Sequence, residues 1–359
     1  MSTDLFASPT TQSTSTLPAA QVSTLLRAAV PELALGLWSL REVEPLSTVP
    51  HGGQRLTSCL VRWTNHCDGR TTAAQLVIKE RKQVPRWADR AARLLVAAGR
   101  GHGARNRVAL PYGVCRPGAL VSERVFGHSM RTAVLAADGA PAAQAVGERL
   151  ADWLVDLQAT RLGMPPSTRR GLADALPQLV AVASTVPSAS PSSPGLSALG
   201  WELQRAAADT AEQEGVVSHG DLHPGNVFLA DGDVVAIDWD TAALREPAYD
   251  VGYALSQLLL SPLHAGMPLS LGVAAATRFW EAYVERGGVA SGDRVGVQAA
   301  RAFIQSMHFE LVTYGNGRAD VLDLWPRAAL AVLRDGPAGL RELTATTVPA
   351  RSLQTSAAR

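Results

Sequence analysis

Lysine is almost missing from this chain. Of 33 basic residues among 359, only Lys79 and Lys82 are lysines, and arginine supplies every other fixed cation. Cysteine is scarce too. Cys59, Cys67 and Cys115 make no disulfide framework, and His66 beside Cys67 lacks the further ligands of a zinc site, so reduced, structural thiols are expected. No uninterrupted apolar span of about 18 residues occurs, which excludes a membrane-crossing helix. There is no dense Lys/Arg run and the net charge is +1, which argues against nucleic acid as the main partner. Met1 to Thr16 is rich in Ser and Thr but lacks the basic start and apolar stretch of a secretory signal, so a cytoplasmic location is expected. No internal repeat is present. With 47% hydrophobic residues the chain can bury a large core, and its length predicts two lobes.

The most informative segment is His219-Gly220-Asp221-Leu222-His223-Pro224-Gly225-Asn226, followed by Ile237-Asp238-Trp239-Asp240. Kinase-type phosphoryl transfer asks the protein to orient a hydroxyl, hold Mg²⁺ on the phosphates and neutralise charge. Asp221 is the candidate proton acceptor. Magnesium takes hard oxygen ligands and is usually held by one or two protein groups, which suits the Asn226 amide and the Asp238 carboxylate. The Asp-x-x-x-x-Asn interval matches the kinase loop H-R-D-x-x-x-x-N, with Gly220 in place of the arginine. Val227 to Leu229 and Val234 to Ile237 read as two short strands about a tight turn at Asp231-Gly232-Asp233. That hairpin carries Asn226 at its entrance and Asp238 at its exit.

The stretch from Ser218 to Ala254, with Pro247-Ala248-Tyr249-Asp250, resembles the aminoglycoside phosphotransferase and choline-kinase-like family, which shares the protein-kinase fold. The resemblance implies an α+β, two-lobed protein-kinase-like fold with a β-rich N-lobe and a mainly helical C-lobe. It implies Asp221 as the base, Asn226 and Asp238 as metal ligands, Asp250 as a buried anchor of the catalytic loop and His219 as structural support. His223 reads as a loop-stabilising imidazole ahead of a direct role in transfer. Asp240 could assist the metal or cap the next turn, and the cap is favoured.

The upstream half supplies matching parts. Lys79 ends the strand-like Gln75-Leu76-Val77-Ile78, similar to the kinase V-A-I-K, where an ammonium reaches the phosphates; a snorkelling surface lysine is the bland alternative. Lys82 is expected to be solvated. Gly52 and Gly53, ahead of an alternating strand from Leu56 to Trp63, resemble the family's nucleotide-covering loop, although a plain hairpin turn needs the same glycines. Leu120 to Gly127 is similar to the family's hinge, where backbone groups near Ser122 and Arg124 would meet the adenine edge. One departure stands out: between Glu80 and Glu123 the only acid is Asp89. Asp89 could replace the usual helix glutamate as the partner of Lys79, or serve as a first-turn acid of its own helix.

The resulting division is a polar tail over 1–20, a nucleotide-binding N-lobe over 21–124, a catalytic and acceptor-binding C-lobe over 125–346 and a frayed end over 347–359. Helices are expected at Gln21 to Val30, Ala142 to Thr160, Trp201 to Glu214, Val251 to Leu260, Leu271 to Arg286, Val295 to Tyr314 and Ala319 to Leu333, the last with a break or kink at Pro326. Thr185 to Pro194 reads as a loop. Residues 1–124 hold 16 Lys and Arg against 8 Asp and Glu, and residues 125–359 hold 17 against 24, a polarity suited to a polyphosphate on one side and metal on the other. Late aromatics and acids, among them Trp280, Tyr283, Glu281, Phe303, Tyr314 and Trp325, are candidates for an acceptor pocket that could cage an ammonium, or for plain core. The expected cofactors are Mg²⁺ and ATP or GTP. The expected acceptor is a small-molecule hydroxyl in the antibiotic, amino alcohol or sugar class, a cationic one among them. A peptide Ser or Thr hydroxyl and a nucleotide-binding scaffold without turnover are the alternatives.

Overall fold

The structure is a computed structural model that describes residues 16–51, 54–81, 88–101, 103–115, 118–166, 196–308 and 319–345, with isolated helical positions at 177 and 181. Gly52, Gly53, Lys82, the Thr185 to Pro194 stretch and the end from Thr347 lie outside the described residues.

An antiparallel five-stranded sheet forms the first lobe. Its strands are β1 (Trp38–His51), β2 (Gln54–Asn65), β3 (Thr71–Glu80), β5 (Pro111–Cys115) and β6 (Ala119–Glu123), in the order β1-β2-β3-β6-β5. Strand alternation sends Cys59, Val61 and Trp63 of β2 and Leu76 and Ile78 of β3 to one face, where they bury against Val22 and Leu26 of helix Ala19–Ala29. The same alternation turns Val77, Lys79 and, just past the strand, Arg81 to the other side.

The second lobe is mainly helical, built on Ala140–Ala159, Leu196–Asp209, Ala248–His264, Leu269–Glu285, Gly292–His308 and Ala319–Asp335. One continuous apolar cluster joins them. It also takes in Ala91, Ala92 and Leu95 of helix Ala88–Leu95 from the first half of the chain. The last helix runs through Pro326 as one element without a break, and Ala248–His264 likewise carries Pro262 inside it. Trp325 beside that proline is 1% exposed, so burial holds a helix that local propensity would break.

Between the lobes lies a smaller sheet in the order β4-β10-β9-β7, formed by β4 (Asn106–Val108), β10 (Asp233–Ala236), β9 (Val227–Ala230) and β7 (His128–Ser129). Strands β9 and β10 are joined by Asp231-Gly232, both with positive φ, as a two-residue hairpin of matching twist requires. Gly127 brings the chain from β6 into β7. Its φ is +120° and a Cβ there would collide with the Leu229 carbonyl, so only glycine lets the link between the lobes lie this close to the hairpin. Among the described residues no helix is long and apolar enough to cross a membrane.

Candidate active site

The loop between β8 (Val216–Ser218) and β9 holds its shape through one buried carboxylate. Asp250, 1% exposed in the first turn of helix Ala248–His264, accepts hydrogen bonds from the His219 N–H (2.7 Å) and the Gly220 N–H (2.9 Å). His219 spans the loop: one ring nitrogen, Nε2, meets the Ile237 carbonyl at 2.8 Å, and Nδ1 accepts the Asp221 N–H at 3.3 Å. Those roles fix the tautomer with its proton on Nε2. The ring packs against Trp239, 4.7 Å between centroids, and edge-on against Trp153 at 6.3 Å. Gly220 has φ +80°, and a Cβ there would strike the Thr241 carbonyl and the Arg245 guanidinium. A kinase arginine cannot stand at this position, because Arg245, arriving from β11 (Ala243–Arg245), already fills the space.

The remaining groups converge from both ends of the hairpin. The Asn226 Nδ2 donates to the Asp221 carbonyl at 3.1 Å, which turns its amide oxygen the other way. Asp238 sits at φ 62° and ψ 61°, a left-handed conformation in a residue other than glycine. Strain of this kind costs about 1–3 kcal/mol and persists where the surroundings over-determine it, commonly at functional sites. From 159 residues away, Lys79 Nζ donates to both Asp238 oxygens at 2.7 Å and to Asp240 Oδ2 at 2.8 Å. Arg81 also pairs with Asp240. Two cations and two carboxylates thus form a balanced, largely buried cluster where the lobes meet. Burial alone would raise the Asp238 pKa, but the charge and hydrogen bonds of Lys79 hold it below the usual carboxylate range. Asp240 is the member pushed upward, by burial and by the Asp238 charge.

Two open readings, of Asp89 and of Asp240, are decided by these contacts, and one group at the hinge is occupied. Asp89 does not replace the helix glutamate: its Oδ2 accepts from Arg93 Nε at 2.7 Å within its own helix, and Lys79 is held by Asp238 and Asp240. Asp240 caps nothing; its carboxylate faces the two cations of β3, and its buried Oδ1 has no hydrogen-bond partner. At the hinge, the Arg124 N–H is consumed by the Gln75 carbonyl at 2.9 Å. Ser122 lies inside the ladder between Val77 and Pro111. Lys79, Asp221, Asn226, Asp238, His219 and Asp250 form one constellation, and Gly52 and Gly53 cannot be placed relative to it.

His223 is buried, and its Nδ1 accepts the Gly225 N–H at 3.1 Å, closing the turn before Asn226. Burial pulls its pKa down, leaving it neutral near pH 7. Below the hinge opens a cleft of about 390 Å³ lined by Gly127, His128, Ser129, Arg131, Thr132, Leu135, Gly225 and Phe228. Of the two readings of the late aromatics, the described ones follow the plain core. Tyr283, Phe303, Met307 and Trp325 are at most 1% exposed in the helical core, and Trp280 stacks on Tyr283 at 5.9 Å. Glu281 is taken up by ion pairs with Arg278 and Arg341. Phe309, Glu310 and Tyr314 lie outside the described residues.

The donor set suits magnesium. Two carboxylates and an amide supply only hard oxygens, and the unpartnered buried Oδ1 of Asp240 is the atom such an ion would satisfy. Asp238, Asn226 and Asp240 are the residues that would hold it.

Comparison with known proteins agrees with this geometry. The chain is 36% identical over 95 residues to the methylthioribose kinase of Citrobacter koseri, a match that covers 23% of each protein. Among solved structures, a thermostable aminoglycoside phosphotransferase APH(4)-Ia in ternary complex with ADP and hygromycin B superposes with a TM-score of 0.54 at 15% identity, over 82% of this chain and 94% of that one. A choline/ethanolamine kinase family protein from Mesorhizobium loti superposes with a TM-score of 0.52 at 16% identity, over 91% and 99%. These likenesses carry the two-lobed protein-kinase-like fold. A family model described as the phosphotransferase enzyme family matches residues 71–289, from the start of the strand bearing Lys79 to well beyond Asp250. That span is more than half of the sequence and contains every group of the constellation, and this chain belongs to the phosphotransferase enzyme family.

Proposed function

We propose that this protein is an ATP- and magnesium-dependent phosphotransferase that moves the γ-phosphoryl group to a hydroxyl of a small molecule. The observation that carries the reading is the meeting of Lys79 with Asp238 across 159 residues of sequence, beside Asn226 and Asp221. A cation for the phosphates, oxygens for a metal and a carboxylate for a hydroxyl proton are the parts that phosphoryl transfer needs. In this reading Asp221 accepts the acceptor's hydroxyl proton as the new O–P bond forms and the β–γ bridging bond breaks, releasing ADP. Lys79 would hold the triphosphate, and Asp238 with Asn226 and Asp240 would hold the metal. Magnesium, when bound, neutralises phosphate charge. His219 and Asp250 hold the loop so that Asp221 needs no rearrangement.

The names of the relatives favour a small acceptor: a methylthioribose kinase, an aminoglycoside phosphotransferase and a choline/ethanolamine kinase family protein. The test is mass spectrometry of a broad panel of hydroxylated compounds and peptides incubated with the protein, ATP and Mg²⁺. A phosphate-sized addition to at least one small molecule, dependent on both ATP and metal, is expected. Addition to peptides alone would move the acceptor to Ser or Thr side chains, and no addition at all would contradict the reading.

A further inference from the structure

A buried arginine without a counter-ion among the described residues shares the Tyr249 ring with Arg245, whose guanidinium fills the space beside Gly220, the neighbour of Asp221. Arg301, on helix Gly292–His308, is 8% exposed. Its Nε donates to Gln298 Oε1 at 2.7 Å and its Nη1 to Gln305 Oε1 at 3.2 Å, both neutral groups. Its Nη2 is buried with no hydrogen-bond partner. Two other buried arginines are charge-paired: Arg107 with Glu123, and Arg294 with Glu246. Burying a guanidinium is costly unless an anion compensates it, and an unpaired one in a native fold calls for an explanation.

Its position offers one. The Arg301 guanidinium lies over the ring of Tyr249, 4.4 Å from the centroid, and Arg245 lies over the same ring at 4.8 Å. One helical turn along the same helix stands Tyr253, within reach of the charges of both Asp221 and Arg301. Burial foremost, then the Asp221 charge, push that phenol well above its usual pKa, while the charge of Arg301 acts in the opposite sense. The base and the arginine are therefore linked through two tyrosines on one helix face. Among the described residues, Tyr283, Phe303 and Trp325, which could have caged an ammonium, are spent in the core.

Taking the phosphotransferase reading as its basis, we propose that Arg301 is the anion-recognising residue of the acceptor site: the alcohol presented to Asp221 carries a carboxylate or phosphate group, not an ammonium. Stacked on the ring, the guanidinium keeps the N–H groups of Nη2 and the second N–H of Nη1 for an oxyanion, and its own charge disfavours a cation.

The test measures binding without turnover. Wild-type protein with ADP and Mg²⁺ is titrated calorimetrically with matched three- and six-carbon sets: glycerol, glycerate and glycerol phosphate; glucose, gluconate, glucose 6-phosphate and glucosamine; and choline. At least one anionic member is expected to bind about tenfold or more tightly than its neutral and amino counterparts. The carboxylate and phosphate arms report which anion is taken. Arg301→Gln should weaken that binding by about thirtyfold or more while leaving ADP affinity within about twofold, and Arg301→Lys, which keeps the charge without the fork, should lose about tenfold. Thermal melting of each variant monitors folding, and the lysine variant carries the comparison if the glutamine variant does not fold. Tighter binding of glucosamine or choline, an Arg301→Gln variant that binds the anions like wild type, or no binding of any anion while ADP binds, would overturn the proposal. Preference for an amine would leave phosphoryl transfer standing, and absence of transfer would leave the binding result readable.

Discussion

Asp221→Asn is expected to lower kcat for phosphoryl transfer by about a thousandfold while nucleotide affinity stays within about twofold of wild type. The amide has the shape of the carboxylate, so loop and pocket are preserved. It cannot accept the hydroxyl proton. The backbone around it does not depend on the side chain: the Asp221 N–H is held by His219 Nδ1 and the Asp221 carbonyl by Asn226. Paired measurements of turnover and of nucleotide binding check the split. Equal turnover in the variant would remove Asp221 from the chemistry, and a parallel loss of nucleotide binding would show that the substitution had disturbed the site.

Asp250→Ala is expected to destabilise the fold by about 3–5 kcal/mol, because it strips two buried backbone N–H groups, those of His219 and Gly220, of a charged acceptor worth about 1.5–3 kcal/mol each. Domains are commonly stable by about 5–15 kcal/mol, so the loss takes a large share of the margin. Asp250→Asn keeps one acceptor and should fall between the two. Denaturant unfolding measures the difference. The activity of the alanine variant should fall further than its folded fraction alone explains, since Gly220 holds φ +80° only while its N–H is anchored. A variant as stable as wild type would mean that the loop is held by other contacts.

What could be read from the chain divides along sequence separation. The hairpin was legible because Asp231-Gly232 states its own turn, and the loop from His219 to Asn226 because its chemistry depends on a five-residue interval. Lys79 stood out by scarcity, and strand alternation alone sends it away from Leu76 and Ile78. Its partners were not legible: Asp238 and Asp240 lie about 160 positions away and meet it only when the lobes come together. Asp240 also looked like a cap because its local setting is a turn, and only the tertiary approach of Lys79 and Arg81 reassigns it. Strand β1 passed unnoticed since Glu42, Glu44, Pro45 and Pro50 speak against a strand, yet it lies at the sheet edge, where proline is tolerated. Tyr283 and Phe303 have the spacing of a pocket and of a core alike, and burial decides for the core. Arg301 is one arginine among many in the sequence; its missing counter-ion becomes visible only in three dimensions.

The central claim is that Asp238, Asn226 and Lys79 converge on a metal–triphosphate, and equilibrium binding of ATP with and without Mg²⁺ tests it most directly. Wild-type protein should bind ATP at least about tenfold more tightly with Mg²⁺ than in chelator, and Asp238→Asn should lose that metal-dependent gain. ATP affinity that ignores magnesium in the wild type, or a gain that survives intact in Asp238→Asn, would contradict the account.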